Sequence, residues 1–174
     1  STWSAVDIED FRELVSLWQS HHDERYSSVL PETVTDRTIV EGRHRRADRL
    51  LVHYIQPHLP YIGIAYSEGR EPTDLEHRGY QLLEEGSASR EAVYEAYREN
   101  LRLVLDEVAV LLENIDAEKV VITADHGEAF GEWAAYGHPE GFPRPIVRKV
   151  PWVETSAIDR RTRDPDVEAE TGVN

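Results

Sequence analysis

The strongest periodicity in the chain runs from Ser89 to Ile115. Val93, Tyr97, Leu101, Val104, Val108, Leu111 and Ile115 fall on one helical stripe, and Ser89 is placed to cap the helix that carries them. A second stripe of Ile8, Phe11, Leu14, Val15 and Trp18 predicts a helix from Asp7 to about Ser20. Pro31-Glu32 is a favourable first turn for a third helix, which ends in the basic cluster Arg43, Arg45, Arg46 and Arg49, where cations suit a helix C-terminus. Between Gly63 and Ser89 the sequence is polar and broken by Gly69, Pro72, Gly79 and Gly86, which predicts a surface excursion with one helix around Leu75 to Glu84.

Two apolar runs have strand rather than helix character. Leu50 to Ile55 is nearly continuous in its apolar residues, as expected of a strand covered on both faces, and it stops at Gln56-Pro57-His58-Leu59-Pro60, where prolines end ladder pairing. Val120-Val121-Ile122-Thr123 is β-branched and leads directly into Ala124-Asp125-His126-Gly127-Glu128. Strand, long helix, strand in that order predicts a βαβ unit and an α/β fold with a mostly parallel sheet flanked by helices. After Gly131 the chain is loop-rich, with a short strand expected near Val150 to Glu154. Residues 1–158 read as a single α/β domain and residues 159–174 as a flexible polar tail.

Composition changes this picture in one respect. The formal net charge is -15, and Lys119 and Lys149 are the only lysines, so arginine supplies nearly all the positive charge. Carboxylates spread along a lysine-poor chain predict an acidic, salt-adapted surface whose self-repulsion is relieved at high ionic strength. No stretch collects enough cations for nucleic-acid binding through phosphates. The chain has no cysteine, which excludes disulfides and thiolate ligands within these residues. No run approaches the length of a membrane span and no leader pattern opens the chain, so a cytoplasmic location is expected. The start at Ser1 and the lack of methionine suggest a trimmed chain.

Candidate chemistry gathers at the ends of the predicted strands, where ligands bind in open α/β sheets. Asp125 and His126 leave the β-branched run together, and a carboxylate beside a neutral imidazole suits a divalent metal, with zinc or manganese favoured over calcium. Two such ligands are half of the usual set. His58, in the proline-pinned loop, and His138, in Tyr136-Gly137-His138-Pro139, are candidates for the remainder, and Glu128 is a candidate to orient an imidazole from behind. His53 reads as a sheet-face residue, and His21, His22, His44 and His77 as helix-end or surface residues.

Val120 to Glu128, followed by Gly131-Glu132, Gly137-His138 and Val150-Pro151-Trp152, resembles the C-terminal motif of the alkaline phosphatase and sulfatase superfamily. Sulfatase-like proteins of halophilic archaea are the nearest likeness, and His53 to Tyr61 is similar to that group's earlier histidine loop. The resemblance covers roughly Leu50 to Glu154 and implies an incomplete alkaline-phosphatase-like domain. It also implies that Asp125 and His126 ligate a metal, that His58 and His138 hold a second metal or the oxygens of a phosphate or sulfate ester, and that the metal activates a hydroxyl nucleophile. Ala124 departs from the family, where serine is common. A larger departure is that the family's first strand, with its acidic ligand and the nucleophile beyond it, precedes the matched region. Ser27, Ser28 and Thr33 are the upstream hydroxyls, and none follows such a strand. The implied activity is therefore a metal-dependent hydrolase or transferase completed by a missing N-terminal part or a partner chain. The alternative is a non-catalytic metal- or anion-binding relative acting as a partner module.

Overall fold

The computed structural model describes residues 10–44 and 48–166. Its elements are α1 (Pro31–His44), α2 (Gly63–Glu68), α3 (Asp74–Glu84), α4 (Arg90–Leu112), β1 (Ala117–Thr123), β2 (Ala129–Phe130), β3 (Tyr136–Gly137), α5 (Pro145–Arg148) and β4 (Trp152–Ala157). Single 3-10 turns lie at Leu17–Gln19 and Glu132–Ala134.

The spine is α4. Ser89 caps it by accepting a hydrogen bond from the Ala92 amide, and α1, α2 and α3 all lie against it. Its buried face is Val93, Ala96, Asn100, Val104 and Leu111, close to the predicted stripe but rotated enough to draw Asn100 inward. At one end of α4, Leu111 and Ile115 pack with Ile39 of α1 and Ala157 of β4. At the other end, Val93 and Ala96 pack with Tyr61 and Phe130 beneath the loops described below.

Among the described residues no parallel sheet forms. β1 pairs antiparallel with β4, in a register that sets Val120 opposite Thr155 and Thr123 opposite Trp152, and β2 pairs antiparallel with β3. These are two separate two-stranded sheets, so the mostly parallel, alkaline-phosphatase-like architecture is corrected to helices around a spine with two small antiparallel ladders. The reason lies in the segment expected to be the first strand. Leu50 to Ile55 is neither helix nor strand, and Leu51 is 82% exposed, so its apolar run is not covered on both faces and offers β1 no parallel partner. β1 instead takes the strand that returns to it through Pro151.

The helix expected from Asp7 is also not seen. Asp7 and Ile8 lie outside the described residues, and from Phe11 to Ser20 only the one 3-10 turn forms, with Leu14 and Trp18 exposed and no core to receive the stripe. Arg45 and Arg46 of the basic cluster also lie outside the described residues. Arg43 is not simply solvated, because it makes two hydrogen bonds of 3.0 and 3.1 Å to the Asp159 carboxylate. Beyond Asp159 the chain stays bound to the helices. The Arg163 amide donates to Asn114, its guanidinium pairs with Asp36 at 2.8 Å, and the Asp166 amide donates to the same aspartate. Among the described residues no helix is long and apolar enough to cross a membrane.

Candidate metal centre

Three loops converge over the Val93 end of α4. The first is the proline loop after Ile55, where the Gln56-Pro57 and Leu59-Pro60 peptide bonds are both cis. Asn100 anchors this loop to α4. Its side-chain oxygen accepts from the Ile62 amide at 3.1 Å, and its amide nitrogen donates to the carbonyls of His58 and Pro60 at 3.0 and 3.3 Å. A fully buried asparagine with both ends engaged holds the backbone of His58 in place.

The second and third loops are joined by the β2–β3 ladder. Ala129 faces Gly137 and Phe130 faces Tyr136, and continuing that register one step outward sets Glu128 opposite His138. The consequence is a 3.0 Å hydrogen bond from His138 Nδ1 to Glu128 Oε1. Gly137 has a φ of +68°, a left-handed backbone that glycine adopts without strain and that turns the chain at the residue before His138.

His58, Glu128 and His138 offer ligand atoms that all lie within 4.8 Å of one another, and together they form a group able to hold a metal ion. His126 lies on the same side, its ring centroid 3.9 Å from that of His138. The tautomers favour coordination. Nδ1 of His58 lies 2.9 Å from the Leu59 carbonyl and Nδ1 of His126 lies 3.0 Å from the Gly127 carbonyl. A carbonyl only accepts, so each Nδ1 is the donor, and in the neutral ring Nε2 is the atom left to coordinate. The Glu128 carboxylate imposes the same tautomer on His138. Glu128 is buried, its Oε1 is engaged by His138, and the Tyr80 phenol also interacts with its carboxylate. A buried carboxylate with ligand atoms of two imidazoles within 4.8 Å is a donor set that fits a divalent ion.

Asp125, expected to ligate with His126, is placed differently. Its side chain is 71% exposed, with Oδ2 3.5 Å from His126 Nε2, at the outer rim beside His126. The carboxylate that belongs to the group is that of Glu128, three residues further along and buried. Sequence reasoning found His58, His126, His138 and Glu128 but missed Asn100, because an asparagine inside a helical stripe carries no motif.

The floor is aromatic. Tyr61, Tyr80, Tyr97 and Phe130 meet edge to face or tilted, with centroids 5.2 to 6.1 Å apart. Burial raises the Tyr97 phenol to about 12, and the Glu128 carboxylate pushes the same way. Tyr61 and Tyr80 are pushed higher still by burial, with the same carboxylate contributing, so both stay protonated. The floor therefore brings no competing negative charge and lowers the local dielectric. The hairpin turn is tied down by Glu132, which accepts from the Phe130 amide at 2.6 Å and pairs with Arg90.

No family model matches this chain, and no curated protein or solved structure matches it.

Proposed function

We propose that this chain is a metal-dependent hydrolase or transferase domain for phosphate or sulfate esters, with a zinc or manganese ion held by His58, Glu128 and His138 and with His126 at its edge. The observation that carries the reading is that ligand atoms of His58, His138 and the buried Glu128 lie within 4.8 Å of one another, with the His126 ring beside that of His138. Two imidazoles and a carboxylate form a common zinc set that leaves one position open, and a metal with an open position polarises an ester oxygen or a bound water. The likeness of the Asp125 to Glu128 and Gly137-His138 motifs to the sulfatase superfamily supports the same chemistry.

A second reading, a metal-binding module without turnover, is favoured by the position of the hydroxyls. Ser28 accepts from Gln56 and donates to the Val29 carbonyl, while Thr33 lines a separate cavity of about 290 Å³ with His21, Glu32 and Asp36. Neither hydroxyl is among the residues of the metal group.

Calorimetric titration with zinc chloride and with manganese chloride tests the shared claim. One ion should bind per chain, and Glu128→Gln and His138→Ala should each weaken binding about ten- to hundredfold or more. Parent-like affinity in both variants would remove the site. Aryl phosphate and aryl sulfate assays on the metal-loaded parent then separate the two readings, because turnover that survives in parent and not in Glu128→Gln belongs to the first alone.

A further inference from the structure

Resting on the metal-centre reading, we infer that the cavity beside His126 and His138 seats an ester with a tetrahedral oxyanion head and an apolar organic remainder, and that Arg148 recognises the head. The cavity measures about 460 Å³, within the range of small-molecule sites. His126 and His138 form its inner wall, Pro139, Phe142 and Val147 give it an apolar side, and Arg148 and Glu140 bring charge. The apolar side is fixed in place, since Phe142 and Val147 pack with the buried Ala129 and Ala135 behind the hairpin.

Charge makes the case for Arg148. A chain with a net charge of -15 repels anions, so an anionic ligand needs a local reserve of cations not already spoken for. Elsewhere arginines such as Arg43, Arg70, Arg90 and Arg163 are held by carboxylates. Around α5 the pattern changes. Arg144 lies over the Trp133 ring at 5.2 Å, and Arg144, Arg148 and Lys149 are exposed and make no ion pair among the described residues. Arg148 alone of these lines the cavity, and a planar guanidinium presents paired donors that match two oxygens of a phosphoryl or sulfuryl group.

Gly127 brings the helix that carries Arg148 against the loop that carries His126 and Glu128. The Gly127 amide donates to the Val147 carbonyl at 3.0 Å, and a Cβ on Gly127 would stand 2.1 Å from the Ile146 carbonyl oxygen. The loop that carries His126 and Glu128 is thus in direct backbone contact with the helix that carries Arg148, which only glycine permits. An oxyanion in this cavity would have the Arg148 guanidinium and the metal-holding histidines on the same lining.

The test titrates the 174-residue chain, with and without manganese chloride, with phenyl phosphate, phenyl sulfate and inorganic phosphate. The parent should bind a phenyl ester more tightly than inorganic phosphate, and whichever of the two phenyl esters binds better identifies the head group. Arg148→Ala should weaken ester binding about ten- to hundredfold, the scale of a charge-assisted pair, with manganese affinity and circular dichroism unchanged. Arg148→Lys should recover part of the loss, and Glu140→Gln should tighten binding. Ester affinity unchanged in Arg148→Ala would overturn the inference, as would a manganese-loaded parent that binds no ester. A parent that fails to bind manganese at all would instead bring down the metal-centre reading, and the two failures are told apart by the metal titration alone.

Discussion

Asn100 carries more of the site than any motif suggests. It is fully buried in the middle of α4, and its three hydrogen bonds go to the backbone of the loop that holds His58. Replacing it with alanine strands the Ile62 amide and the His58 and Pro60 carbonyls, at a cost of about 1–3 kcal/mol. The expected result for Asn100→Ala is a lower urea midpoint together with metal affinity reduced about tenfold or more, because His58 loses its anchor. Asn100→Asp keeps the acceptor and should retain the Ile62 bond. Equal metal affinity in parent and Asn100→Ala would show that the loop is held by its prolines alone. At this scale much of the site is legible in sequence, since histidines next to glycine and proline stand out against a polar background. Asp125 reads as a ligand from its place at the strand end; its carboxylate lies exposed beside His126, while the buried carboxylate of the group is that of Glu128. That outcome depends on the two-rung register of β2 and β3, elements too short to leave a pattern.

Helices show a different balance between local and distant information. α1, α3 and α4 are legible because capping residues and a 3.6-residue period are local properties. The capping box of α3 makes the point quantitatively. Glu76 accepts from the Thr73 amide at 2.6 Å and from its hydroxyl at 2.8 Å, while Arg70 donates to both carboxylate oxygens. Burial acts to raise the Glu76 pKa, but the Arg70 and Thr73 contacts outweigh it and hold the group below its ordinary value. A depressed folded pKa means that the unfolded state takes up the proton first as pH falls. The contribution is therefore complete above the ordinary glutamate value of about 4.3 and is lost as pH drops through the lower folded value. Glu76→Gln should lower stability at pH 7 by about 1–2 kcal/mol and flatten the acid limb of a stability-against-pH curve below about pH 4.5. An acid limb identical to the parent's would show that Glu76 is not the group that titrates there. Sheet pairing is not local in this way. Nothing in Leu50 to Ile55 distinguishes a strand in a ladder from an extended segment without one, and the partner of β1 is decided by β4, which arrives only after the hairpin and α5.

For the whole molecule the governing quantity is the excess of 34 acidic over 19 basic residues. Fifteen uncompensated charges make on the order of 100 pairs, and at a typical ~20 Å each pair costs about 0.2 kcal/mol in water without salt. At 0.1 M the ~10 Å screening length cuts each term to a few hundredths, leaving a total of a few kcal/mol, and at 1 M the ~3 Å length removes it. The same salt weakens the favourable ion pairs. Those on the surface, such as Arg98 with Glu95 and Arg160 with Glu113, contribute about 0–1 kcal/mol each, while the shielded Arg43–Asp159 and Arg163–Asp36 pairs are screened less. Repulsion summed over the chain outweighs that loss, so the thermal midpoint should rise by roughly 5–15 °C between 0.05 and 1 M potassium chloride and change little above it. Differential scanning calorimetry across that series checks the expectation. A midpoint that stays flat or falls would mean that acidic self-repulsion does not limit this fold, and that its arginine pairs, not the solvent ions, balance the charge.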